Sequence, residues 1–472
     1  MTEGIPDITK TLLKNLLYKS LDFQLDGKFK TTSKVFHTIL KSLTEEVQLE
    51  LYSNEEENGL LLTICGTLYV MDVEMHQSDG SILKVKLSGS DMNEIDERAH
   101  LYLTNLFQNH DIKAFRNVLQ FIAFLDKSQT HPDLDLFHCL SALQQDLSMI
   151  HQIERSNGNS LQSVICCGHG YTNIYKRNLG PCITFWAPPQ VFSELEKNEN
   201  DSTILDDIMN HSESFNAEIS IESSNLNVFL PKSRSQSCFQ TPPILNAMEQ
   251  PLCVLSQYQV LGGSIGILLP TPSSPIIAPV ALKMVLEPSI CVTRDVAQLL
   301  GYQNLSLDDS NTFEKVWKDR ISKKHVSENP KYKCTFAVTL DTPSVYLEKV
   351  LFSNLSQVML ILNTLRQAVV FNQLIQTFFF STQTSTDNPI FVHLVGWVPC
   401  TSLQLLLLHK RNPYRYQIDI TINSVGSISV NVITCDGSGT SLNFNTPALI
   451  TAIADLNTTK ILDAVIQTLD NK

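Results

Sequence analysis

The sequence predicts an α+β fold: a helical N-terminal part with a β-hairpin, then mixed β-rich units with a long buried helix. Three observations predict it. Apolar residues recur at spacings of three and four over Val35–Val47 and Leu136–Ile150, the period of a helix with one wet face. Short runs of β-branched and aromatic residues, punctuated by glycine and proline, fill much of the rest. One stretch, Leu355–Phe380, is apolar nearly all round, and such a helix needs cover on several sides.

Pro6 suits the first turn of a helix, with Ile8, Leu12 and Leu16 following at spacings of four. Thr32 or Ser33 caps a second helix that sets Val35, Ile39, Leu43 and Val47 on one face. A hairpin comes next. Leu60–Met75 and Ile82–Ser88 are rich in β-formers, and the Ser78-Asp79-Gly80-Ser81 turn supplies the positive φ angles that tight turns need. Val70, Asp72, Glu74 and His76 alternate with Met71, Val73 and Met75, which gives the hairpin one wetter face. Helices return from about Asn93 to Arg155. The clearest follows Pro132-Asp133 and steps through Leu136, Leu140, Leu143, Leu147 and Ile150.

From Leu161 the texture turns to short β segments at Ser163–Cys167, Ile183–Ala187, Phe215–Glu222 and Asn225–Leu230. Nine acidic residues and one lysine lie between 193 and 222, and the first half of that stretch reads as a solvated loop. Residues 231–288 hold nine of the twenty prolines, so this segment is expected to build neither a ladder nor a long helix. Order resumes with a strand at Ala278–Leu286, a short helix at Arg294–Leu300 and a strand at Lys333–Leu340. The long apolar helix follows, then strands around Ile390–Val395, Gln404–Leu408, Tyr414–Ile422 and Ser427–Thr434, and closing helices at Pro447–Leu456 and Thr459–Leu469.

A chain of 472 residues exceeds the ~250–300 that one core usually reaches, so two or three packed units are expected. The boundaries read 1–158 for the helical region with its hairpin at 60–88, and 159–230 for a β-rich segment with an acidic loop. Residues 231–277 form a Pro/Ser-rich linker or loop, and 278–472 a mixed α/β C-terminal unit.

Charge and cysteine usage exclude several function classes. With 35 basic and 48 acidic residues the net charge is −13, which repels phosphate backbones and anionic lipid, so neither direct DNA binding nor membrane docking is expected. The eleven cysteines form no Cys-x-x-Cys pair, which argues against a structural zinc site and for reduced thiols inside a cell. Met1–Lys10 carries Glu3 and Asp7 and lacks the apolar core of a signal peptide. Arg366, two asparagines and four glutamines make Leu355–Phe380 a buried helix rather than a membrane span; Arg366 is expected to point outward or to bond carbonyls or a carboxylate.

The chemistry-bearing motifs are weak. Gly262-Gly263-Ser264-Ile265-Gly266 fits the Gly-x-Ser-x-Gly of serine hydrolases, but the apolar and proline-rich continuation cannot start the helix that such an elbow requires, and a flexible loop explains it better. Cys166-Cys167-Gly168-His169-Gly170 gathers metal-capable side chains; a β-turn after a buried strand is favoured over a site, because adjacent cysteines on a strand face opposite ways. Leu13-Lys14-Asn15-Leu16-Leu17 puts Leu13, Leu16 and Leu17 on one helical face, as helix-in-groove docking needs, and the chain's own core would use them equally well. Leu403–Leu407 fits the same pattern in a strand-like setting. Cys435-Asp436-Gly437-Ser438-Gly439 reads as a turn, since no Lys-Ser or Lys-Thr follows. Thr241, Thr271 and Ser274 each precede a proline and are candidate phosphorylation sites. No catalytic residue, cofactor or metal is expected.

Several stretches, in order, carry a family likeness. They are the hairpin from Leu61-Leu62-Thr63-Ile64-Cys65 through Val85–Leu87, and Leu140-Ser141-Ala142-Leu143-Gln144-Gln145-Asp146-Leu147. Gly168-His169-Gly170-Tyr171, Val280–Pro288 and Leu362-Asn363-Thr364-Leu365-Arg366-Gln367 with Phe371-Asn372-Gln373-Leu374 complete them. From about residue 30 to residue 470 the chain resembles the structured N-terminal region of Mediator subunit 1. Animal members carry a long disordered tail with receptor-binding leucine boxes; this chain stops before such a tail, and its Leu13 box is not at the family's positions, so receptor binding is not carried over. The resemblance implies a compact, fungal-type member: a nuclear, non-catalytic coactivator subunit of the Mediator middle module. It implies contacts with subunits such as 4 and 9, and with transcription regulators, on the way to RNA polymerase II. A hydrolase-like enzyme using Ser264 and a cytoplasmic adaptor scaffold are the competing readings.

Overall fold

The computed structural model describes residues 33–56, 59–76, 80–89, 97–109, 112–128, 136–174, 179–188, 191–192, 201–230, 253–270, 276–301, 312, 332–338, 342–352, 357–380, 390–408, 415–424, 426–435, 441–442, 447–454 and 458–470. Leu13, Leu16, Leu17, Thr241, Thr271 and Ser274 lie outside these. The fold is mixed α+β, in two compact units: Met1–Gln129 with Ile174–Leu179, and Thr130–Asn173 with Gly180–Lys472.

In the first unit, helix α1 (Ser33–Val47) buries Phe36, Ile39, Leu40, Leu43 and Val47, among them Ile39, Leu43 and Val47 of the stripe its spacing announces. Strands β1 (Glu50–Glu56), β2 (Gly59–Cys65), β3 (Tyr69–Met75) and β4 (Ile82–Gly89) form an antiparallel meander in chain order. The expected hairpin is its second half. Leu60–Met75 is not one arm: the chain reverses at Gly66-Thr67-Leu68, where the N–H groups of Thr67 and Leu68 donate to the Asp126 carboxylate at 2.8 and 2.6 Å. Along β3, Tyr69, Met71, Val73 and Met75 are buried while Val70, Asp72 and Glu74 are half-buried, the alternation expected of a one-sided sheet. Helices α2 (Glu97–Gln108) and α3 (Ile112–Lys127) complete the core, with Phe107 set edge-on against Phe36 and Phe115.

The second unit opens with α4 (Leu136–Ser156), whose stripe Leu136, Leu140, Leu143, Leu147 and Ile150 is buried throughout. A seven-residue helix, α5 (Leu161–Cys167), replaces the strand expected at Ser163–Cys167. Its start is set by Ser160, whose Oγ accepts from Ser163 N at 3.1 Å, and Gly168 caps its end. Next come β5 (Tyr171–Ile174), β6 (Pro181–Trp186), α6 (Asp201–Asn210) and β7 (Phe215–Leu230), so the acidic stretch holds a helix where a loop was expected.

Within the segment expected to carry no ladder, β8 (Cys253–Val260) and β9 (Gly263–Pro270) pair along their whole length. Proline occurs only at the end of that ladder, so its interior N–H groups remain free to donate. After β10 (Ile276–Thr293) and α7 (Arg294–Leu299) come β11 (Tyr332–Phe336) and an unforeseen strand, β12 (Ser344–Phe352). The long helix α8 runs from Val358 to Phe380. Strands β13 (Ile390–Val398), β14 (Ser402–Leu408), β15 (Arg415–Ile422), β16 (Ile428–Thr434) and β17 (Ser441–Leu442) precede α9 (Pro447–Ala454) and α10 (Thr458–Asp470).

Two large sheets result, ordered β12-β10-β7-β6-β5 and β11-β13-β14-β15-β16-β17. Helix α8 packs on β10 and β6 of the first, on β15 of the second and on α10. Its hydrophobic run Val358–Gln376 is long enough to cross a bilayer, yet 72% of it is buried inside the fold. Leu365, Phe371 and Leu374 are fully covered, as a helix apolar on most sides requires.

Candidate functional site

Among the described residues of the second unit, ionisable groups gather inside the core at the turn after α5. Four side chains meet there: Glu154, His169 and Arg366 are at most 1% exposed, and Tyr258 is 7% exposed.

Glu154 sits four residues beyond Ile150, at the next position of the apolar stripe of α4. A carboxylate placed there must be satisfied by protein donors. Its Oε1 accepts from His169 Nδ1 and Leu261 N, each at 2.8 Å, and its Oε2 accepts from His169 N at 3.0 Å. Burial works against ionisation of Glu154, but these donors outweigh it and hold the carboxyl below its ordinary range. With Nδ1 donating to the carboxylate, Nε2 is left to accept the Tyr258 hydroxyl proton at 2.8 Å. Burial pushes the Tyr258 phenol up and keeps it protonated, while Met359 N–H at the start of α8 donates to its oxygen. A single file of hydrogen bonds thus runs from α8 through Tyr258 and His169 to Glu154.

Arg366 answers this anion from the other side. Its Nε donates to Phe185 O at 2.8 Å, Nη1 to Asn363 Oδ1 at 3.0 Å, and Nη2 to Ile165 O at 2.9 Å and to Gly168 O. The two carbonyls taken by Nη2 close the C-terminus of α5, where a cation is favoured. Burial pulls the guanidinium down to about 10, with the neighbouring Cys166, Cys167 and Glu154 opposing the fall. Of the outcomes expected for Arg366, bonding to carbonyls is the one found.

One peptide group joins the two charges: its C=O, from Gly168, faces Arg366, and its N–H, from His169, faces Glu154. The glycines around it are dictated by space. A Cβ on Gly168 would stand 2.4 Å from Glu154 Oε2, and Gly170, at φ +81°, would place one 2.5 Å from Thr184 O.

This arrangement leaves the side chains of Cys166–Gly170 poorly disposed to hold a metal. Both ring nitrogens of His169 are engaged, and burial drives the Cys166 thiol up to about 11 and Cys167 upward as well, away from the thiolate a metal needs. Among the described residues no group of three or more metal-capable side chains converges. Ser264 is exposed in β9, just beyond the Leu261-Gly262 turn, so its glycine motif forms a strand-to-strand hairpin rather than the strand-to-helix elbow of a hydrolase. Leu403, Leu405 and Leu407 are buried in β14, as the strand-like setting of that second leucine pattern suggested.

Sequence reasoning placed Arg366 and pointed to His169, but it passed over Glu154 and Tyr258. The signal for Glu154 was the unbroken i, i+4 step from Ile150. Tyr258 lay in a stretch whose prolines masked a strand.

The hairpin of β8 and β9 is fastened to this junction. Asn157 and Asn159 both donate to Leu261 O at 3.1 Å while Leu261 N donates to Glu154. The junction therefore ties α4, α5, the β8–β9 hairpin and α8 into one frame, with its polar atoms turned inward.

No curated protein matches the chain. The family model for Mediator of RNA polymerase II transcription subunit 1 matches residues 25–380, well over half of its length. All four junction residues, and the whole of α8, fall within that match. By that match the chain belongs to the Mediator subunit 1 family, as a component of the coactivator complex that regulates transcription by RNA polymerase II.

Proposed function

We propose that this chain is a non-catalytic scaffold of the Mediator middle module, bridging transcription regulators to RNA polymerase II in the nucleus through protein–protein contacts. The observation that carries the reading is the family match over residues 25–380. The junction supports it: its acid, base and hydroxyl groups are paired with one another under cover, which suits a structural fastener. Subunits 4 and 9 are the proposed neighbours. Leu13, Leu16 and Leu17 are a proposed partner-docking box, and Thr241, Thr271 and Ser274 proposed phosphate acceptors. No cofactor, DNA contact or membrane contact belongs to this reading.

The test is affinity purification of the tagged chain from nuclear extract, followed by mass spectrometry. Recovery of Mediator subunits, with 4 and 9 among the most abundant, is expected. Recovery of cytoplasmic coat or trafficking proteins instead would overturn the reading, and labelling of Ser264 by an active-serine probe would overturn its non-catalytic part.

A further inference from the structure

The meander of the first unit has two edges, and they are treated differently. At β4, helix α2 supplies side chains to the main-chain groups of the edge. Thr104 Oγ1 accepts from Val85 N at 3.0 Å, His100 Nε2 donates to Leu87 O at 3.1 Å, and Gln108 Nε2 donates to Ile82 O at 3.0 Å. That edge is closed to another strand.

At β1 nothing comparable occurs among the described residues. The strand pairs with β2 over seven consecutive residues, Glu50↔Cys65 to Glu56↔Gly59, without a bulge, and no strand follows it on the outer side. Proteins ordinarily blunt an exposed edge with charged side chains (lysine above all), proline, a bulge or a covering element. The only charges β1 carries are glutamates, which repel a like strand but not a basic one. The sequence ELYSNEE has no lysine, no proline and no bulge. Alternate N–H and C=O groups of such a strand point outward, ready to accept a further strand.

Charge decides which strand. Glu50, Glu55 and Glu56 are the only charged residues of β1, with Glu45 close before it while Glu46 is paired with Arg116 at 3.1 Å, and Tyr52 stands 56% exposed with its hydroxyl donating to Glu50. Two copies of β1 paired antiparallel about Ser53 would set Glu50 against Glu56, and directly opposed like charges destabilise a ladder. The open face of the sheet also alternates in sign: Lys84 and Lys86 on β4 stand opposite Glu74 and Asp72 on β3, and the acidic strand lies at the far end.

We infer that the outer edge of β1 is a docking site for a basic, extended peptide segment of a partner protein, which adds to the meander as a fifth strand. Main-chain bonds to β1 hold the segment, Glu50 and Glu55 select its lysines or arginines, and Tyr52 offers an aromatic surface to its side chains. The inference stands on the first unit alone and does not depend on membership of the complex.

The test is fluorescence anisotropy of the full chain with a labelled eight-residue valine peptide that carries two lysines five positions apart, one for each face of β1. Saturable binding is expected, weakened by salt and reduced roughly tenfold by the double substitution Glu50→Lys/Glu55→Lys, with unchanged circular dichroism. The same peptide N-methylated at every residue keeps its charge and is expected not to bind. Equal binding of the methylated peptide would show a merely ionic association and overturn the inference. So would failure of the parent peptide to bind, or binding indifferent to Glu50→Lys/Glu55→Lys. A homodimer of the free chain that this double substitution separates would overturn the choice of occupant.

Discussion

Replacing Arg366 by methionine keeps the length of the side chain and removes its charge. Three main-chain carbonyls, of Phe185, Ile165 and Gly168, then lose their donor inside the core, and Glu154 loses the cation that faces it across the Gly168–His169 peptide. Each orphaned buried acceptor costs ~1–3 kcal/mol, and removal of one member of a buried charge pair measures about 3–5 kcal/mol as a whole. Part of the loss is returned because the guanidinium no longer has to be desolvated. The net expectation is therefore a loss of about 3–5 kcal/mol, not the sum of the separate bonds. Urea unfolding followed by far-ultraviolet circular dichroism reads it. The companion is the cycle with Glu154→Gln. If the two charges sense one another, the double variant loses less than the sum of the singles, by about 0.5–3 kcal/mol. A loss below about 1 kcal/mol for Arg366→Met, or strict additivity in the cycle, would refute the view of the junction as one coupled unit.

Acid is expected to weaken the fold through Glu154. Its folded-state pKa lies below the ordinary 4.5, so its contribution is fully present above that value and is lost as pH falls through the folded pKa; Glu154→Gln is expected to flatten this limb of the stability–pH curve. Gly170→Ala forces a Cβ onto Thr184 O at a positive φ and is expected to destabilise by about 1–3 kcal/mol, read as a lower urea midpoint. Tyr258→Phe removes the hydroxyl that holds the β8–β9 hairpin to His169, so protease cleavage within Cys253–Pro270 is expected to quicken, with a loss of about 1–3 kcal/mol in urea unfolding from the unpaired His169 Nε2. Leu374→Ala, at a fully buried position of α8, is expected to cost ~2–5 kcal/mol in thermal or urea unfolding; normal stability with lost assembly would make α8 an interface instead.

Helices were the most legible part of the fold. The stripes of α1 and α4 and the all-round apolarity of α8 each span several turns, and repetition makes a period readable. Short elements were legible only where their punctuation was unambiguous. Ser163–Cys167 looked like a strand because valine, isoleucine and cysteine suit strands, yet Ser160 before it and Gly168 after it are helix caps, and the caps won. The first hairpin arm hid a reversal at Gly66 because the donors of that turn are satisfied by Asp126, far along the chain. The junction was half legible for the same reason. Arg366 stands out as the lone charge of α8, whereas the pairing of Glu154 with His169 and Leu261 exists only once the chain is folded.

The β8–β9 hairpin belongs to an excursion between two strands that are already neighbours. Leu230, at the end of β7, pairs with Ile276, at the start of β10, so the chain departs from the sheet and returns to it at one rung. Topologically, everything between those residues is an insertion that a tight turn would replace without disturbing the ladder. Energetically it is not free to go. Excising it would strip Leu261 N and the Tyr258 hydroxyl from the interior and leave Glu154 and His169 short of partners. A shortened chain that closes Leu230 onto Ile276 would need apolar replacements at Glu154 and His169 in the same step. The length of this insertion is thus tied to the chemistry of a helix end more than a hundred residues ahead of it, and lineages or designs that trim the one are expected to alter the other.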